Sequence, residues 1–170
     1  VLFHFFLLLR NANYTAMEEL IRLRQELHRN PELSGQERAT AKRLRFFLSR
    51  YKPDELYSNI AGEGMVAVFN GKESGPTVLF RCDMDALPIT ETNNVKYKSN
   101  VPGVSHVCGH DGHMAIVSGL AMKFSEQPLS SGRVILLYQP AEENGLGAKG
   151  CVERLTELDL LPDYAVALHN

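Results

Sequence analysis

Residues 133–139, RVILLYQ, constrain the fold of this chain more than any other stretch. A strand with one wet face alternates apolar and polar side chains, but residues 134–138 are apolar or aromatic without a break. That pattern belongs to a strand covered on both faces, and covering both faces takes helices above and below a sheet. Helical periodicity is available to supply them. One helix is expected over residues 15–28, and a second carries Leu44, Phe47, Leu48 and Tyr51 on one face. A third runs from Gly112 with Met114, Ile116, Val117, Leu120, Ala121 and Phe124, and a fourth covers 148–158. Further strands are expected at 65–69, 77–82 and 164–168. Strands alternating with helices give an α/β class, a three-layer α/β/α arrangement with a mostly parallel or mixed central sheet.

Punctuation supports these limits. Thr15 with Glu18, and Ser34 with Glu37, have the spacing of capping boxes at the first two helix starts. Asn30-Pro31 and Pro53 stop those helices, and Asn70-Gly71 reads as a turn. Apolar residues thin out over 90–103, so this is expected to be loop, with Val95 and Tyr97 as a short edge strand. Residues 1–9 are apolar apart from His4, well short of the roughly 20 a spanning helix needs. No basic segment precedes them and no clear cleavage site follows. Residues 1–16 are therefore set apart as an N-terminal extension, and 17–170 as one domain.

The charge of −2 offers no electrostatic reason to expect nucleic acid or an anionic membrane as partner. Cys82, Cys108 and Cys151 are odd in number and irregular in spacing, which argues against a disulfide framework and for a reducing, cytoplasmic setting.

Polar residues gather where the strands end. Asp83 and Asp85 follow one strand, Glu142 and Glu143 the next, and His169 the last. Open α/β sheets bind ligands at that carboxyl edge. The densest group is His106-Val-Cys108-Gly-His110-Asp111-Gly-His113, whose imidazoles, thiol and carboxylate suit a borderline divalent cation. Some of its members must orient others rather than bind directly. The adjacent Glu142 and Glu143 would repel each other at the end of a buried strand unless a cation compensates. An acidic turn closed by Pro88 would also account for Asp83 and Asp85, so these could ligate or only orient. Cys82 and Cys151 read as core, and His28 and His4 have no partner visible in the sequence. Gly145-Leu-Gly147-Ala-Lys-Gly150 matches a dinucleotide fingerprint, but Glu142 and Glu143 beside it would repel a pyrophosphate.

Together LIRLRQELHRNPELSGQE (residues 20–37), DMDALP, HVCGHDGH, QPAEE and the terminal ALHN are similar, in order, to the M20 metallopeptidase family. The likeness is specifically to its amidohydrolase branch of hippurate, N-acyl amino acid and auxin-conjugate hydrolases. The resemblance implies a zinc-exopeptidase-like catalytic domain, of which 17–170 would be the N-terminal portion. It implies that Cys108, His110, Glu143 and His169 hold two divalent ions, Mn2+ or Zn2+, and that Glu142 is the general acid/base. Asp83, Asp85, His106, Asp111 and His113 would support the ligands. The expected reaction is hydrolysis of an N-acyl amino acid or short peptide. Family members continue with a lid that also forms a homodimer, the rest of the catalytic domain and a fifth, histidine, ligand. Residues 1–170 alone are accordingly expected to be inactive, a metal-binding fragment if they are the whole product. Cys82 departs from the small residue usual at its position.

Overall fold

A computed structural model describes residues 14–169, and side chains from residue 16 to residue 169. In chain order the elements are α1 (Tyr14–Arg29), α2 (Arg38–Ser49), β1 (Glu55–Ile60), β2 (Gly64–Asn70) and β3 (Glu73–Asp83). Then follow α3 (His110–Glu126), β4 (Ser131–Gln139), α4 (Gly147–Glu157) and β5 (Tyr164–Ala167). His4 and the apolar start lie outside the described residues, and the boundary expected at residue 16 falls inside α1.

The strands form one mixed sheet in the order β1-β2-β4-β3-β5. β4 is central and runs antiparallel to β2 and parallel to β3, which pairs in parallel with β5. The period of two along β4 divides its side chains between two cores. Val134, Leu136 and Tyr138 join Leu27, Leu48, Met114 and Leu120 under α1, α2 and α3. Ile135 and Leu137 face the other way, against Cys151, Leu155 and Leu160 around α4. Each such Leu or Ile, fully buried, contributes about 1.5–3 kcal/mol from the apolar surface it removes from water. The result is the expected three-layer α/β/α arrangement.

Several local expectations are corrected. Thr15 lies within α1 rather than ahead of it. At α2 the capping box does not form: Glu32, from the preceding loop, accepts the Ala39 and Thr40 N–H groups at 3.1 and 2.7 Å. Ser34 and Glu37 are thereby released for contacts described below. Residues 95–97 make a turn, with Lys98 N–H donating to the Val95 carbonyl, and no strand. β1, which the sequence pattern did not announce, is an edge strand whose middle is only partly covered. The Asn70-Gly71 step leads out of β2 but does not join sheet neighbours, because β4 lies between β2 and β3. Gly71 is needed there for another reason: a Cβ would sit 2.4 Å from the Ser131 carbonyl carbon.

Candidate metal centre

β4, β3 and β5 are parallel neighbours, so their carboxyl ends share one edge of the sheet. Asp83 closes β3 opposite Gln139, which closes β4. Leu168, just past β5, donates its N–H to the Arg81 carbonyl at 3.0 Å and so brings the chain end at His169 to the same edge. The start of α3 completes the site from the side. Gly109 takes φ +77°, a left-handed turn that glycine adopts without strain, and places His110 and Asp111 as the first helical residues.

His110 is buried, and its Nδ1 lies 2.8 Å from the Asp85 carbonyl oxygen. A carbonyl only accepts, so Nδ1 carries a proton here, and in the neutral ring Nε2 keeps the lone pair. Around Nε2 stand three carboxylates, Asp83 Oδ2, Glu142 Oε2 and Glu143 Oε1, each at 3.9 Å. One ligand atom each from Asp83, His110 and Glu142 lies within 4.8 Å of the others.

These acids are poorly compensated by protein. Asp83 is fully buried, with Arg81 Nη2 2.5 Å from its Oδ1 as an ion pair but with no well-aligned hydrogen bond to either oxygen. Burial outweighs the arginine and pushes its carboxyl up to about 7. Asp85 Oδ1, Glu143 Oε1, His113 Nδ1 and both ring nitrogens of His106 also lack partners. Native proteins rarely leave buried polar atoms unpaired, at about 1–3 kcal/mol each. A divalent cation placed among Asp83, His110 and Glu142 would use the Asp83 oxygens that protein leaves without hydrogen bonds, so the residue set fits one.

Other expected residues surround this centre. The Cys108 thiol is pushed up to about 11, first by its hydrogen bond to the Glu143 carboxylate and then by burial. A cation bound there would displace that proton outright. The His113 ring stands 5.9 Å from that of His110, and burial lowers its pKa, with neighbouring His110 and His169 adding to the effect. His169 is itself exposed. His106 is buried, which drops its pKa to about 4 and keeps it neutral.

Asp111 turns away from the centre. Its Oδ2 accepts from Arg24 Nε at 3.1 Å and meets His28 Nδ1 at 3.0 Å. His28 Nε2 in turn lies 3.1 Å from Glu91 Oε1, and Ser99 N–H donates to the other Glu91 oxygen at 2.8 Å. Burial would raise the Glu91 pKa, but these two hydrogen bonds prevail and lower it. The partners of His28 are remote in sequence, which is why the sequence alone did not reveal them.

The sequence also gave no role to the contacts of the loop before α2. Ser34 Oγ donates to Asp85 Oδ2 at 2.6 Å, and Glu143 N–H donates to the same oxygen at 3.0 Å. Glu37, fully buried, accepts from Gly35 N–H and Ala141 N–H at 2.9 and 2.8 Å. Both residues lie within the stretch 20–37, where spacing suggested only a helix cap. Of the glycines after Glu143, Gly147 has a packing explanation, since a Cβ there would lie 1.7 Å from the Pro140 carbonyl oxygen, and Gly145 a conformational one, at φ +75°.

The sequence profile of peptidase family M20/M25/M40 matches residues 79–170, over half of the chain. An N-acetylcysteine deacetylase of Bacillus subtilis is 40% identical over 135 residues, 79% of this chain and 36% of its own length. An N-acetyldiaminopimelate deacetylase of Priestia megaterium is 34% identical over 154 residues, 91% of this chain and 41% of its own. Among solved structures, Bacillus subtilis YXEP protein, described as a dinuclear metal binding peptidase from the M20 family, superposes with a TM-score of 0.83 at 36% identity. That match covers 94% of this chain and 44% of the other. The chain thus spans well under half the length of these relatives.

Proposed function

Because the chain belongs to peptidase family M20/M25/M40, we propose that it serves a metal-dependent amidohydrolase that splits N-acyl amino acids into a carboxylic acid and a free amino acid. The observation that carries this reading is the trio of carboxylates at 3.9 Å from His110 Nε2, with the buried oxygens of Asp83 lacking hydrogen bonds. Two of the similar proteins are N-acetyl amino acid deacetylases by name.

In this proposal Cys108, His110, Glu143 and His169 hold two divalent cations, Mn2+ or Zn2+. When bound, the pair would lower the pKa of a water and polarise an amide carbonyl. The protein's own groups do the rest. The Asp85 carbonyl fixes the His110 ring so that Nε2 faces the cluster. Asp85 Oδ2 holds the Glu143 backbone, and with it the turn that carries both glutamates. Glu142, a quarter exposed at its side chain, is reachable by water and by substrate. It takes a proton from the attacking water and returns it to the departing amine.

A second reading is favoured by the 4.8 Å grouping, which includes Asp83 and Glu142 rather than Cys108 and Glu143. There Asp83 and Glu142 would bind a cation directly. A thermostable carboxypeptidase of Saccharolobus solfataricus, 40% identical over 137 residues, likewise keeps short peptides among the candidate substrates. The test is a panel of N-acyl amino acids and dipeptides, assayed with the full-length protein stripped of metal and then titrated with Mn2+ or Zn2+. Metal-dependent release of free amino acid from the acyl compounds supports the proposal. Turnover of dipeptides alone would move it to peptidase, and turnover in the stripped protein would overturn it.

A further inference from the structure

The loop between α1 and α2 reaches across the molecule to two separate segments of the metal centre. Glu32 accepts Ala86 N–H at its backbone carbonyl, 2.8 Å away, just past the Asp83–Asp85 segment. Ser34 Oγ and Glu143 N–H share Asp85 Oδ2, so one carboxylate oxygen ties this loop to the glutamate-bearing turn after β4. Glu37 Oε1 then grips that turn itself, through Ala141 N–H. Ala141 takes φ +51°, a left-handed conformation unfavourable to a residue with a Cβ. Some external contact must hold it there, and the residue after it is Glu142.

Glu37 makes its own grip possible locally. Gly35 adopts φ +77° and turns its N–H onto the same Oε1 atom. The carboxylate is completely buried, and its second oxygen has no hydrogen-bond partner. A buried carboxylate that serves only as a helix cap would gain nothing from such a position, and α2 is already capped by Glu32.

We propose that Ser34 and Glu37 are positioning residues for the metal centre: they hold residues 141–143 in the strained turn that points Glu142 and Glu143 at His110. This rests on the assignment of the metal site to that cluster. Neither residue touches the cation or the substrate. They act through the backbone of Ala141 and through Asp85, in the way that outer contacts tune the affinity of metal ligands.

The test is metal affinity in the full-length protein, measured by titration of the stripped form with Mn2+ and with Zn2+, alongside amide hydrogen exchange over residues 139–146. Glu37→Ala should weaken binding about 10–100-fold and speed exchange in that segment. Glu37→Gln, which keeps an acceptor oxygen, should recover most of the affinity. Ser118→Ala is the comparison for lost stability alone, since it removes a buried hydrogen bond between α3 and Tyr138 of β4 in which no residue of this loop takes part. It should leave affinity unchanged. Ser34→Ala, on a partly exposed loop, gives the same reading should Glu37→Ala not fold. Glu143→Gln marks whether the site itself is correctly placed. Wild-type affinity in Glu37→Ala and Ser34→Ala, with affinity lost in Glu143→Gln, overturns the positioning role alone. Equal weakening in Ser118→Ala reduces it to general stability and overturns it too. Affinity retained in Glu143→Gln overturns the site assignment, and the positioning role with it.

Discussion

His110 and Asp111 are neighbours at the start of α3, yet they enter opposite kinds of surroundings. Asp111 finds a guanidinium and an imidazole already waiting, and the line of groups continues from His28 to Glu91 and the Ser99 amide. His110 finds three carboxylates about Nε2, at distances too long for hydrogen bonds. Both regions are buried and both are rich in ionisable groups, so burial and composition do not separate them. The balance of charge does: Asp111 Oδ1 has no hydrogen bond, but Oδ2 meets a guanidinium and an imidazole. A buried carboxylate held by basic side chains supports the fold, whereas carboxylates gathered around one imidazole carry a cost that a ligand can remove.

That contrast is open to direct test. The largest effect is expected at Glu142: Glu142→Gln in the full-length protein should lower kcat by about 10²–10⁴-fold while metal content stays near wild type. Glu143→Gln should instead lose metal, as elemental analysis of the purified proteins would show. If Glu142→Gln empties the site as thoroughly, the second reading, with Glu142 as a ligand, takes over.

Stability should respond in the other region. Asp111→Ala leaves His28 and the half-buried Arg24 facing a void, and should destabilise the metal-free protein by about 3 kcal/mol, read from urea unfolding. Asp83→Asn relieves a crowded charge that the Arg81 ion pair only partly offsets, and should shift metal-free stability by no more than about 1 kcal/mol while lowering metal affinity. Similar losses from both substitutions would erase the distinction between the two regions.

The cysteines offer a finer cut. Cys108→Ala should lower metal occupancy, and metal binding to the wild type near pH 7 should release a proton from the Cys108 thiol, which the substituted protein lacks. The sign follows from the raised thiol pKa: below about 11 the metal-free thiol keeps its proton, so binding must expel it. Calorimetry in buffers of different ionisation enthalpy measures that proton. Cys82→Ala and Cys151→Ala, both in the cores, should cost only about 1 kcal/mol of packing and leave metal alone. The smallest effect is expected from Arg24→Ala. Its side chain is nearly half exposed at the rim of the network around Asp111 and His28, so its removal should cost less than about 1 kcal/mol in thermal or urea unfolding.

The layers and most elements could be read from the sequence because they rest on local periodicity. The unbroken apolar run of β4 demanded cover on both faces, and the 3.6-residue stripes of α1, α2 and α3 supplied it on one side. β1 escaped because a partly covered edge strand leaves little apolar pattern. The chemistry at the strand ends was equally visible: Asp83, Glu142, Glu143 and the imidazoles around Cys108 are residue types whose concentration a core does not require. The tertiary structure alone decided how those groups divide. His110 and Asp111 differ by one position in sequence but by about 100° around a helix, which sends one into the carboxylate cluster and the other toward Arg24 and His28. Ser34 and Glu37 have the spacing of a cap, yet Glu32 occupies that role and frees them to reach Asp85 and Ala141, more than 50 and 100 residues away. Spacing along the chain determines which residues share an element, because backbone geometry is local. Which buried acid finds a partner depends on contacts between distant segments, and only the folded chain brings those together.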